Sequence, residues 1–284
     1  MPDAPTPLLE LHNVNLRFSN VWALRNISLS LNPGDTRIIF GAAGSGKTML
    51  LKAVIGLVAV DSGDVKLFGE DVTSKKEHDL FELRSRAGFL FQEGGLFDSL
   101  SIRDNVEYPL LNRQNTGHGS NGHLSDDELG KRARDALRFV ELEQAIDKFP
   151  AEVSGGMRRR VGIARAIVTE PPLVLYDSPT AGLDPITANT IMALIAKERD
   201  VRNTGALIVT HRYQDGELMA NFRYDPKREE LIPVSEEEQN DPKRARTKFI
   251  VMKEGEIVFY GTRRELEQSG DSYVKRFVRH EHEQ

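Results

Sequence analysis

The sequence predicts an α/β fold: a parallel core sheet that carries a phosphate-binding loop, an antiparallel β segment ahead of it, and a helical segment inserted within it. Three observations predict this class. Gly41-Ala42-Ala43-Gly44-Ser45-Gly46-Lys47-Thr48 fits G-x-x-x-x-G-K-[ST] between the apolar run Ile38-Ile39-Phe40 and a helical pattern from Met49 to Ile55. Leu173-Val174-Leu175-Tyr176 and Ala206-Leu207-Ile208-Val209 are short continuous apolar runs bounded by turn signals, as parallel strands covered on both faces require. Between about residues 100 and 150 the hydrophobic period becomes helical.

Each element follows from local chemistry. In the first sixty or so residues, Leu9-Leu11, Val14-Leu16-Phe18 and Ile27-Leu29-Leu31 alternate as strands do, broken by Asn, Pro and Gly, so an antiparallel sheet leads into the loop. The loop's glycines let consecutive N–H groups turn inward around a phosphate chain. Lys47 reaches β/γ oxygens, the Thr48 hydroxyl ligates Mg²⁺, and the helix end adds positive potential. The expected ligand is a nucleoside triphosphate. Ser125 followed by Glu128 reads as a capping box that opens a helix. Residues of roughly 221–248 are charged and Pro-containing, and read as an inserted surface excursion, partly hairpin or loop, before the strands Phe249–Met252 and Ile257–Tyr260.

Composition narrows the function classes. A chain of 284 residues, 39% hydrophobic and 29% charged, is an ordinary globular chain. No apolar stretch approaches the roughly 18–20 residues of a membrane span, and the first residues lack a signal-peptide pattern. Zero cysteines exclude disulfides and thiolate metal sites. A net charge of −5 argues against a nucleic-acid partner.

Further motifs choose among nucleotide-binding proteins. Val153-Ser154-Gly155-Gly156-Met157-Arg158-Arg159-Arg160 resembles the signature motif of ATP-binding cassette (ABC) proteins, and it precedes a hydrophobic strand ending in Asp177. Gln92 matches the Q-loop, Ala181-Gly182-Leu183-Asp184 the D-loop and His211 the switch histidine, in the family's order. The resemblance implies a P-loop NTPase (ABC ATPase) core over residues 8–265, with a helical subdomain at about 93–165, the charged insertion, and a C-terminal tail at 266–284. It implies ATP and Mg²⁺ as cofactors. Phe18 would stack on adenine, with Trp22 as the fallback. Residues 41–48 would hold the phosphates, while Thr48, Gln92 and Asp177 would hold the metal. Ser154, Gly155, Gly156 and Asp184 would face ATP held by a second copy, so the working form is a homodimer. Gln92 and His211 would serve the catalytic step.

One departure concerns the catalytic base. The family usually places a glutamate after the metal-binding aspartate, and this chain has Ser178 there. Serine cannot act as a carboxylate base, a role typically worth about 10²–10⁴ in rate. A slow ATPase, water held instead by His211 or Gln92, or a sequence altered to trap ATP are the readings left open.

The stretch Phe91 to Leu110, with Gln92, Gly94, Leu96-Phe97 and Asn105-Val106 to Pro109-Leu110, looks like the ATPases of mammalian-cell-entry (MCE) lipid-trafficking systems such as Mla. Gly155-Gly156-Met157, Asp184-Pro185-Ile186-Thr187 and Ser272–Val278 point the same way. That resemblance implies a bacterial cytoplasmic motor, peripheral on the inner face of the membrane, beneath integral-membrane permease subunits and an MCE-domain protein, moving phospholipid or another hydrophobic substrate. The rival reading is an ATP-sensing switch or scaffold. His118 and His123 read as solvent-exposed rather than metal-binding, and His280 and His282 as part of a frayed polar tail.

Overall fold

A computed structural model describes residues 6–115 and 124–278, so the four histidines just named lie outside the described residues. In chain order, β1 (Leu9–Phe18) and β2 (Val21–Leu31) lead to β3 (Thr36–Gly41) and α1 (Lys47–Val54). β4 (Ser62–Leu67), β5 (Glu70–Asp71), α2 (Glu77–Ser85) and β6 (Ala87–Leu90) follow. The helical segment contains α3 (Ile102–Asn115), α4 (Asp126–Phe139) and α5 (Gly155–Ile167), and the core resumes with β7 (Leu173–Asp177), α6 (Pro185–Arg202), β8 (Gly205–Val209) and α7 (Tyr213–Asn221). The chain ends with β9 (Phe222–Asp225), β10 (Glu230–Pro233), α8 (Glu236–Asn240), β11 (Thr247–Lys253), β12 (Glu256–Gly261) and α9 (Arg263–Glu267).

A six-stranded sheet in the order β12-β11-β3-β8-β7-β6 forms the centre, parallel except at β12. Every residue of β3, β7 and β8 is buried, as strands covered on both faces demand. Alternate residues divide between two cores. Ile38, Phe40, Val174, Tyr176 and Ile208 pack with the helices α3 to α7, while Ile39, Leu173, Leu175, Leu207 and Val209 pack with α1 and the antiparallel sheet β2-β1-β4-β5.

Helix starts follow their caps. Ser125 and Glu128 form the reciprocal capping box of α4, Ser154 Oγ accepts the Met157 N–H at the start of α5, and Asp184 caps α6 with Pro185 in the first turn.

Two boundaries differ from the expectation. Thr247 and Lys248 already pair with Thr36 and Arg37, so the inserted stretch ends before them; it comprises the β9–β10 hairpin and α8. The boundary at residue 265 falls inside α9, and Leu266 and Val274 beyond it belong to the buried core, since their side chains close the sheet's helical face. The polar letters of this segment conceal two anchors.

Candidate functional site

The register of the parallel sheet gathers the motifs at one edge. Ile39 stands beside Val209, Val209 beside Asp177, and Tyr176 beside Leu90. The phosphate loop, His211, Asp177-Ser178 and Gln92 therefore all follow the carboxyl ends of adjacent strands, the edge where open α/β sheets bind ligands.

Two close approaches shape the loop. A β-carbon at Gly41 would lie 2.6 Å from the Met252 carbonyl, and one at Gly46, whose φ is +101°, would lie 2.2 Å from the Ala23 carbonyl. Only glycine fits between these backbones. The Lys47 ammonium donates to the Gly41 and Ala42 carbonyls at 2.8 Å each and to Ser45 Oγ at 3.4 Å. Burial pulls its pKa below the ordinary lysine value, and the charge of Asp177 opposes that shift.

Thr48 Oγ1 donates to Asp177 Oδ2 at 3.1 Å, and Ser178 Oγ donates to Asp177 Oδ1 at 3.3 Å. A hydroxyl and a carboxylate converging at the loop's end suit Mg²⁺, which takes few protein oxygens and completes its shell with phosphate and water. Gln92 follows β6 in a short 3₁₀ turn, Gln92–Gly94, and is exposed. It lines a cavity with Gly155, Arg159 and Ala181, so the geometry joins it to the signature helix and D-loop.

Ser178 occupies the left-handed region at φ +54° and is buried; its N–H donates to the Val209 carbonyl at 2.9 Å. Burial, reinforced by the Lys47 ammonium and opposed by Asp177, lowers the His211 pKa below the usual histidine value. Its imidazole is therefore neutral at neutral pH.

Ser154 and Gly155 are exposed at the amino end of α5. A β-carbon at Gly155 would come no closer than 4.0 Å to its nearest neighbour, Arg158 Nη2. Free N–H groups at a helix start form an anion-binding surface that is open to a second molecule. Asp184 Oδ1 accepts the Ile186 and Thr187 N–H groups, so part of this carboxylate serves the fold. Phe18 is half exposed at the tip of the β1–β2 hairpin, whereas Arg17 lies 5.4 Å above the Trp22 ring.

Several working contacts were not read in the sequence. Arg159 donates to the Ser178 carbonyl at 3.3 Å and the Ala181 carbonyl at 3.0 Å, and Arg165 donates to the Gly94 and Gly95 carbonyls at 3.0 and 2.9 Å. Helix α5 thus ties the Q-loop to the end of β7. Thr180 Oγ1 and Thr210 Oγ1 both donate to Asp215 Oδ2 at 2.5 Å, which joins the turn after Asp177 to the residue before His211. Phe81, Phe91, Phe97 and Tyr108 line a cavity of about 520 Å³ between α2, β6 and α3. Their spacing in the chain gave no common period, so only the fold assembles the groove.

Comparison with known proteins places these features in context. A family profile described as ABC transporter matches residues 24–181. The intermembrane phospholipid transport system ATP-binding protein MlaF of Haemophilus influenzae is 32% identical over 232 residues, covering 82% of this chain and 85% of its own length. The methionine import ATP-binding protein MetN of Rhizobium etli is 35% identical over 211 residues, 74% of this chain and 56% of that protein. An ATP-binding cassette solved as a dimer in a post-hydrolysis state, bound to ADP and Pi, matches with a TM-score of 0.72 at 28% identity, covering 89% of this chain and 98% of that one.

Proposed function

The chain belongs to the ABC transporter family as an ATP-binding subunit, and from that premise we propose that it drives the movement of phospholipid or a similar hydrophobic substrate in a bacterial MCE/Mla-type system. The observation that carries the ATPase chemistry is the Thr48–Asp177 pair at the end of the phosphate loop. The substrate class rests on the similarity to MlaF over most of both chains. The similarity to MetN makes lipid the part of the reading that needs its own test.

In this reading the loop of residues 41–48 and the Lys47 ammonium would hold the phosphates, and Thr48, Asp177 and the Gln92 amide would hold Mg²⁺. Mg²⁺, when bound, would neutralise phosphate charge. Phe18 takes the adenine. Neutral His211 accepts a proton or hydrogen bond at the γ-phosphate side, and Ser178 occupies the usual glutamate position without a carboxylate's basicity. The exposed start of α5 presents Ser154, Gly155 and Gly156 to ATP held by a second copy.

The aromatic groove beside Gln92 is the surface we assign to the permease, because exposed apolar patches of this kind mark protein interaction sites. Among the described residues no helix is long and apolar enough to cross a membrane, so attachment at the inner face would run through that partner. An MCE-domain protein would act beyond the permease. Arg165 and Arg159 then offer a route by which motion at the groove reaches Ser178.

A second reading, an ATP-sensing switch with little turnover, is favoured by Ser178 alone. Co-purified with its permease in proteoliposomes, the protein is expected to release phosphate and transfer fluorescent phospholipid, and Lys47→Ala to lose both. ATP hydrolysis stimulated by an amino acid instead of lipid would overturn the substrate class. ATP binding without turnover would favour the switch.

A further inference from the structure

The C-terminal segment meets the phosphate loop through one side chain. The Tyr273 hydroxyl accepts a hydrogen bond from the Ala42 N–H at 3.1 Å and donates one to the Met252 carbonyl at 3.0 Å. Met252 stands beside Gly41 in the parallel ladder, so the hydroxyl closes the register where β3 gives way to the loop. The peptide unit between Gly41 and Ala42 is consequently held at both ends. Its carbonyl accepts from the Lys47 ammonium at 2.8 Å, and its N–H donates to Tyr273.

The tyrosine is itself firmly seated. Asp271 Oδ1 accepts the Tyr273 and Val274 N–H groups at 2.7 and 3.2 Å, and Val274 is buried in the core. The Tyr273 ring packs edge-on against Phe277 with centroids 5.2 Å apart, and Phe277 in turn stacks on Phe40 of β3 at 6.1 Å. The Lys253 ammonium lies 5.3 Å from the Tyr273 ring centre. A hydroxyl on a support fixed this way restricts the rotation of the peptide it binds. Phosphate recognition depends on how the N–H groups and the Lys47 ammonium are aimed, so that restriction bears directly on affinity.

We propose that Tyr273 is a positioning residue of the nucleotide site: from the C-terminal segment it fixes the Gly41–Ala42 peptide, and through it the aim of Lys47 toward the nucleotide phosphates. The segment 271–278 then couples to nucleotide affinity, so that displacing it loosens nucleotide. This inference rests on the reading of residues 41–48 as the nucleotide loop.

Tyr273→Phe keeps the ring and its packing and removes both hydrogen bonds. In the full-length protein, ADP–Mg²⁺ affinity by calorimetry should fall about three- to tenfold, the equivalent of roughly one ordinary hydrogen bond. The nucleotide-free melting temperature should fall by no more than the few degrees that two partly exposed hydrogen bonds are worth, whereas a purely structural role would leave affinity intact. Unchanged affinity in Tyr273→Phe, or a lower melting temperature with affinity intact, overturns the proposal. Amide exchange provides a test independent of any variant: the Ala42 N–H of the nucleotide-free wild type should be protected, and exchange at the rate of an open loop amide overturns the proposal equally. Lys47→Ala separates the two levels. If it too leaves ADP affinity unchanged, the loop reading fails; if it weakens binding while Tyr273→Phe does not, only the Tyr273 inference fails.

Discussion

The Arg159 guanidinium donates to the Ser178 carbonyl at 3.3 Å and, through its other terminal nitrogen, to the Ala181 carbonyl at 3.0 Å. A residue of α5 therefore holds the backbone at Ser178 and in the turn after it. Arginine suits this bridge because its planar fork keeps two donors at a fixed separation, whereas lysine presents a single point charge. Arg159→Lys is expected to lower ATP turnover in the permease complex by about tenfold or more, corresponding to ~1.5 kcal/mol for a charge-assisted hydrogen bond. ADP affinity should hold, since the phosphate loop is untouched. Normal phosphate release in a stably folded Arg159→Lys variant would remove Arg159 from the catalytic assembly.

Gly155 offers a clean probe of the two-copy site. A side chain there meets only open space in the single chain, while a β-carbon at Gly156 would sit 2.7 Å from the Thr187 methyl and disturb the fold. Gly155→Asp should therefore fold and bind nucleotide like the wild type. Its carboxylate would face the phosphates brought by the second copy and repel them. Light scattering with ATP–Mg²⁺ should show a monomer where the wild type dimerises; a normal ATP-dependent dimer would refute the shared site.

Asp215 leads to a pH-dependent prediction. Burial raises its pKa above the ordinary aspartate value, with the hydrogen bonds from Thr180 and Thr210 and the charge of Arg212 only partly opposing this. Because the folded pKa lies above the unfolded one, the folded state binds the proton more tightly. Its contribution to stability is present at low pH and is lost as pH rises from the usual aspartate value through the raised one. Asp215→Asn keeps an oxygen acceptor for both threonines and carries no charge. Urea unfolding should find it at least as stable as the wild type near neutrality, with a smaller decline on going up from acid pH. Asp215→Ala leaves two buried hydroxyls without their acceptor, at about 1–3 kcal/mol each, and should also slow turnover. Identical pH profiles for the Asn variant and wild type would show that the carboxyl does not titrate in this way.

What could be read from the letters was local. Gly41–Thr48, the Ser125–Glu128 box and the Ser154 and Asp184 caps specify their own backbone within a few residues, and their types are legible because the geometry is. Asp215 gave no such sign: its partners Thr180 and Thr210 approach from different strand ends, and a lone aspartate in a helical pattern reads as surface. Tyr273 contacts Ala42 across most of the chain, a pairing decided by the fold alone. The left-handed Ser178 escaped notice for a related reason, since serine does not advertise positive φ as glycine does.

Ser178 bears the sharpest test. Its left-handed backbone is already adopted by a residue with a β-carbon, so Ser178→Glu adds no new backbone strain. Its Oγ lies 3.3 Å from Asp177 Oδ1, which puts an added carboxylate beside the Thr48–Asp177 pair proposed to hold Mg²⁺. Two carboxylates this close repel unless a cation lies between them, so the variant should work only with Mg²⁺ present. If the site lacks just a base, turnover in the permease complex should rise at least about tenfold with nucleotide affinity little changed, because a general base acts in the transition state. If neutral His211 already positions the water, the added carboxylate crowds the site and the rate stays flat or falls. His211→Ala separates these outcomes. A wild type that turns over rapidly, is not accelerated by Ser178→Glu and collapses in His211→Ala would make His211, its imidazole kept uncharged by burial and by Lys47, the group that holds the water.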